Sequence, residues 1–305
     1  LAVNAPSRFE NTYAGNVSGD RATIIFNADA TMNALIVAQN YNVFGSVIQN
    51  AGTLNINPTS GNGDRLLIGH TGGAGSYRLN GGTLRTGRMN ITGSSSANGP
   101  NVGVYEQFGG SAAVTATDGW LFWGHSQGTG VASLYNGTLS APPSGNDTTM
   151  SYTNNGSLAV LNLLGAGALL GATGNGGARS IDMARSGGNL ASIINLNAGA
   201  ILANRVRAGS TATPSLFNFN GGTLRANGAT TLASTFMQGL TAATIYPGGA
   251  VLDTTNAVLT LTQSLVAPDG LGVGWITLSS GGAGYIGAPA VVISGGSGFG
   301  ATAAA

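Results

Sequence analysis

The block Leu79-Asn80-Gly81-Gly82-Thr83-Leu84-Arg85 returns almost unchanged as Phe219-Asn220-Gly221-Gly222-Thr223-Leu224-Arg225. Weaker copies are Asn50-Ala51-Gly52-Thr53-Leu54, Tyr135-Asn136-Gly137-Thr138-Leu139 and Leu196-Asn197-Ala198-Gly199-Ala200-Ile201. Each joins a polar turn containing glycine to a short apolar strand. A turn-plus-strand unit repeated along a chain is the signature of a solenoid, because one unit cannot bury its apolar face alone and a stack of them can. Asn80, Gly81, Gly82, Asn136, Gly137, Asn197, Gly199, Asn220, Gly221 and Gly222 are therefore the predicted repeat turns.

The repeat is longer than its motif. Leu67-Ile68-Gly69-His70 precedes one block and Phe122-Trp123-Gly124-His125 precedes another, an offset of 125 − 70 = 55 between the histidines. The asparagines give 136 − 80 = 56, and Gln49 against Gln107 gives 58. Residues 49–89 and 107–145 thus read as two copies of one unit, expected to hold two or three coils. A drifted third copy spans 190–226, where Leu196 to Val206 aligns without gaps on Leu79 to Met89 and matches Arg88 with Arg205.

Short runs of alternating apolar and polar residues fill the chain between glycine-rich turns. Examples are Ala22 to Phe26, Ala34 to Ala38, Asn42 to Ile48, Leu66 to Ile68, Asn101 to Tyr105, Ala112 to Thr115, Leu158 to Leu164, Ile193 to Leu196 and Val258 to Leu261. That period fits half-buried strands, and no stretch has a capped helical pattern. The reading is all-β, with residues 1–265 a β-solenoid and residues 1–22 a cover over its first coil. Residues 266–305 form a separate glycine-rich C-terminal β module.

Composition narrows the function classes. Charged residues make up 7% of the 305, against about 25% in ordinary soluble domains. The eleven Lys+Arg are all arginine and the net charge is +1, which excludes the basic stripe that nucleic acid requires. Without lysine there is no Schiff-base chemistry, isopeptide staple or phosphate-binding Gly-Lys-Ser/Thr loop. There is no cysteine, hence no disulfide or thiolate metal site. No apolar run of about 18 residues marks a membrane span.

Repeat blocks of Asn-Gly-Gly-Thr-Leu are followed by Gly239-Leu240-Thr241-Ala242-Ala243-Thr244 and Gly248-Gly249-Ala250-Val251-Leu252-Asp253-Thr254. Over residues 45–265 this pattern resembles the bacterial autotransporter-associated β-strand repeat proteins. The resemblance implies a right-handed parallel β-helix that is exported, is displayed on the cell surface or released, and serves as a passenger or adhesin-like stalk without enzymatic activity. Gly281-Gly282-Ala283-Gly284-Tyr285, Pro289 to Ile293 and Gly295 to Ala303 resemble one copy of a Gly-Gly-x-Gly-Tyr repeat of bacterial surface and fibre proteins.

The candidate chemical groups are sparse. His70 and His125 stand at equivalent repeat positions; with coils about 4.8 Å apart they would be about 10–14 Å from each other, too far to share an ion. The ten acids are scattered, and Asp64 and Asp118 are the pair most nearly in repeat register. No catalytic residue, cofactor or metal site is assigned. Trp120-Leu121-Phe122-Trp123 puts Trp120 and Phe122 on one face and Leu121 and Trp123 on the other. Trp120, Trp123, Tyr285 and Phe299 are the candidate contacts for another protomer or a glycan. The functional expectation is an extracellular or cell-surface structural solenoid that polymerises head to tail, residues 266–305 touching the N-terminal region, roughly 1–30, of the next copy. The alternatives are a non-catalytic adhesin for glycans or surface proteins and, third, a polysaccharide lyase or hydrolase.

Overall fold

A computed structural model describes residues 1–61, 63, 65–93, 100–142, 148–153, 156–172, 180–227, 235–255, 258–269, 273, 275–293, 301–303 and 305. Among them there is no helix, and every strand pairing is parallel. The strands fall into three ladders, and each coil adds one strand to each ladder in turn.

The first ladder begins with Ala2–Val3, Arg21–Phe26, Phe44–Gln49, Ala74–Leu79 and Val102–Gln107, and ends with Ser215–Phe219, Ala242–Ile245 and Leu265–Val266. The second runs from Ser7–Arg8 through Thr53–Ile56, Thr83–Thr86 and Ser111–Val114 to Val251–Asp253. The third runs from Asn11–Ala14 through Leu66–Ile68, Met89–Ile91 and Leu121–His125 to Met237–Gln238. Thr129–Ser140 and Leu158–Ala172 continue round the corner and serve both the first and second ladders, with a register break between Leu134 and Asn136. This succession is consistent with a parallel β-solenoid. Coil length varies: along the first ladder Ala243 partners Leu265, a step of 265 − 243 = 22, whereas Leu163 partners Leu196, a step of 196 − 163 = 33.

The repeat unit holds two coils: Leu79 partners Gln107, and Gln107 partners Leu134, so 134 − 79 = 55. The offset of 56 from the asparagines is corrected by the register. Thr83, Ser111 and Thr138 are partners, so Gly82 and Gly137 share a column while Asn80 shares one with Tyr135. Arg88 and Arg205 do share a column, through Met89, Leu121, Thr148, Ile181 and Val206.

Inward residues of all three ladders make one continuous core, from Val3 through Tyr77, Trp123, Leu161 and Phe217 to Ala243. Three short strands within residues 1–14 are the first described members of the three ladders. Val258 to Leu261 supplies one isolated parallel bridge, Met237 to Leu261, in place of a strand, and Val258 is 94% exposed. The C-terminal part contains no strand among its described residues beyond Val266. It lies across the outward side of the first ladder, where a sheet offers side chains and no free backbone groups to pair with.

Candidate functional site

The corner between the first and second ladders is built from the predicted turns. In register, Asn4, Asn27, Asn50 and Asn80 follow Val3, Phe26, Gln49 and Leu79, and their amides form a row in which each Nδ2 donates to the Oδ1 of the preceding coil at 2.6, 2.8 and 2.8 Å. The next two positions of that column are Phe108 and Tyr135, whose rings stack at 4.4 Å and 5°. The amide ladder passes directly into an aromatic one. Arg78 caps the stack, 5.0 Å above the Phe108 ring, while pairing with Glu106 at 2.7 Å. Burial pushes the Tyr135 phenol up, and the Glu106 carboxylate adds to that while Arg78 opposes it. Asn197 and Asn220 resume the amide row at 3.3 Å.

Glycine turns stack behind that row. Gly52, Gly82, Gly110, Gly137 and Gly199 all have positive φ, and a methyl on Gly82 would lie 2.3 Å from the Gly52 carbonyl. The two identical blocks nevertheless turn differently. In Asn80-Gly81-Gly82 the second glycine is left-handed (φ 82°); in Asn220-Gly221-Gly222 it is the first (φ 111°), whose N–H donates to the Gly249 carbonyl at 2.9 Å.

The outward side of the first ladder carries three kinds of surface. Near the N-terminal end it is hydroxylic, with Ser76 donating to Ser46 at 3.1 Å. Further along, Val131, Val160, Ala191, Ile193 and Leu216 form an outward apolar stripe separate from the core. Beside the stripe runs a second amide row: Asn218 donates to Asn195, Asn195 to Asn162 and Asn162 to Ser133, at 2.8, 2.8 and 3.2 Å.

The C-terminal segment occupies this face. The Gly284 carbonyl accepts from Arg21. A methyl on Gly287 would meet Ser76 Oγ at 1.8 Å, so this glycine lies directly on the hydroxyl row. Ala290 packs on the apolar stripe, and Thr302 Oγ1 accepts from Asn195 at 2.7 Å. A cleft of about 320 Å³ remains between residues 285–289 and Ser46, Ile48, Ser76, Arg78 and Glu106. Sequence reasoning gave this segment to a neighbouring copy; here it reaches Arg21 of its own chain.

No protein-family model, curated protein or solved structure matches the chain.

The other predicted contacts separate. Trp123 is fully buried in the core and offers no surface, because Leu121 and Trp123 take the inward positions of their strand. Trp120 is half-buried on the outward side and stacks on Phe122 at 4.9 Å, and Phe122 meets Tyr152 at 5.3 Å under the Arg88 guanidinium. Tyr285 is 60% exposed on the C-terminal segment. Phe299 and Asp64 lie outside the described residues.

The register places His70 and His125 two coils apart, each with Nδ1 beside the hydroxyl of the next residue, Thr71 or Ser126. Several described carboxylates are engaged by backbone amides or arginines. Asp118 accepts from the Gly61 amide at 2.7 Å, and Asp20 accepts from the Val17 and Asn16 amides. Asp182, 1% exposed, is held by Arg207 at 2.6 Å and by Arg185. Sequence analysis missed that clamp, and its outline was available: Asp182 and Arg207 are one coil apart, at outward positions of adjacent third-ladder strands. Among the described residues no three His, Cys, Asp or Glu side chains gather as a metal site, and no helix is long and apolar enough to cross a membrane.

Proposed function

We propose that this chain is an exported bacterial structural protein, a right-handed parallel β-helix that assembles end to end into an extracellular filament or surface stalk and has no catalytic role. The observation that carries this reading is the last coil, where the outer edges of Val251–Asp253 and Leu265–Val266 have no strand partner among the described residues. Unpaired strand edges are templates for further strands, and a solenoid that is to stay single needs polar caps. Two different ends meeting give a heterologous contact, which propagates as an open fibre. A charge-poor surface adds little repulsion between copies. The resemblance to autotransporter-associated repeats and to a Gly-Gly-x-Gly-Tyr fibre repeat supports the surface location. The engagement of described acids by arginines and backbone amides supports a non-catalytic role.

Electron microscopy of the purified chain over a range of concentrations tests the proposal. Uniform filaments are expected, and isolated short rods at every concentration would overturn it. The second reading is an adhesin, favoured by the half-buried rings of Trp120 and Tyr152, 6.3 Å apart on the outward side, since an aromatic face can stack on a sugar ring. Retention on a glycan array that is lost in Trp120→Ala would favour it.

A further inference from the structure

The C-terminal segment covers a surface that could not stand open. Val131, Val160, Ile193 and Leu216 point away from the core, yet their exposures are only 6, 5, 3 and 8%. Ala290 packs on this stripe, and the described residues of its segment, 284–293 with Thr302, make no strand pairing with the ladders. It is held by side-chain contacts at Arg21, Ser76, the stripe and Asn195. The linker from the last coil to this strap carries Trp275, Ile276 and Leu278 at 86, 61 and 76% exposure. Docking on its own flank therefore hides one apolar surface and leaves another in water.

The geometry points to an exchangeable strap: in the assembled protein, residues 284–293 and Thr302 lie on the first-ladder face of a second copy of this chain, from that copy's Arg21 to its Asn195. Every contact of the closed form is kept when the strap crosses, because donor and acceptor surfaces are the same in both copies. What changes is the linker. Two copies that exchange straps bring their linkers side by side, and Trp275, Ile276 and Leu278 then leave water, which favours association in proportion to the apolar area removed. Exchange of an identical element between protomers is a low-cost route to assembly, closing as a pair or running on as a chain. The proposal rests on the self-assembly reading above and adds to the contact between coil ends a second one on the first-ladder flank.

Absence of native cysteine makes a direct test available. A methyl carbon at position 287 would stand 2.6 Å from Ser76 Cβ, so a shift of about 1 Å in the strap gives disulfide geometry. A chain carrying S76C is mixed with one carrying G287C after brief exposure to mild denaturant, and then oxidised. The expected product is a disulfide-linked heterodimer that rises with concentration and falls at least tenfold when Ala290→Asp is added to the G287C chain. Asn195→Cys with Thr302→Cys, again on separate chains, repeats the experiment should the first pair perturb folding. Failure of both mixtures to cross-link, while the paired cysteines in a single chain close an intrachain bond, overturns exchange. Filaments of the cysteine-free chain seen alongside that failure leave self-assembly standing; absence of filaments as well removes both.

Discussion

The phenol of Tyr77 donates to Gln49 Oε1 at 2.6 Å, joining two successive coils inside an otherwise apolar core. Gln49 is fully buried, and its Nε2 donates to the carbonyls of Gly52 at 3.2 Å and Thr83 at 3.0 Å. One side chain thereby ties its own turn to the strand of the next coil. Gln107 repeats the device with Gly110 and Thr138, now with Tyr105 of its own strand as the donor. Burial, and then the neighbouring Tyr105, holds the Tyr77 phenol well above its ordinary range, which favours the protonated donor. Gln49→Leu strands a buried hydroxyl and two carbonyls and is expected to cost about 3 kcal/mol, against about 1 kcal/mol for Tyr77→Phe. Urea unfolding of both variants and the double variant checks this, with the double expected to fall short of the sum.

Two glycines separate conformational cost from crowding. Gly249 has φ 83° and open space where a side chain would go, so Gly249→Ala is expected to cost about 1 kcal/mol from the left-handed backbone alone. Gly82 has nearly the same φ but faces the Gly52 carbonyl at 2.3 Å. Gly82→Ala adds displacement of the stacked turns, and a loss of about 3 kcal/mol or more is expected. Equal losses in thermal unfolding would refute the stacked-turn account.

Asp182 is buried and its two arginine partners are 34 and 30% exposed. Asp182→Asn keeps the shape and removes the charge that both guanidinium groups face. A loss of about 3 kcal/mol is expected, recovered in part by adding Arg207→Met. Denaturant midpoints of the single and double variants read this out.

Acid sensitivity has a defined sign. The Thr255 amide, and then Arg225, hold the Asp253 carboxyl below its ordinary value, and the Val17 and Asn16 amides do the same for Asp20. The folded chain binds these protons less tightly than the unfolded chain. Their contribution is therefore complete above the ordinary carboxylate pKa of about 3.9 and is lost as pH falls through the lower folded values. Stability is expected to be flat from neutral pH to about pH 5 and to decline below about pH 4. Asp253→Asn and Asp20→Asn together should flatten that acid limb in urea titrations.

The ladders were legible because inward residues alternate and glycine marks each corner, so a period-two pattern between turns leaves little choice of local structure. The face was harder to read. Alternation separated Trp120 from Trp123, but only the register put Trp123 inside. Asparagine misled the repeat by one position, because the stacked element is the left-handed glycine: Gly82 lies over Gly110 and Gly137, and Phe108 and Tyr135 replace the amide beside it. The docked strap was not legible at all. Its glycines, Pro289 and valines have the texture of a strand, and its destination depends on an outward stripe drawn from four coils between Val131 and Leu216.

Gly82 and Gly137 stand in one column, two coils apart. Excising residues 83–137 would join Gly82 to Thr138 with every later side chain still facing its former side. Along the ladders such a chain differs from its parent by two coil spacings, or about 10 Å. Length in this molecule is thus a counted quantity, set by a whole number of blocks, and the genome can lengthen or shorten the ruler without redesigning the material it is made of.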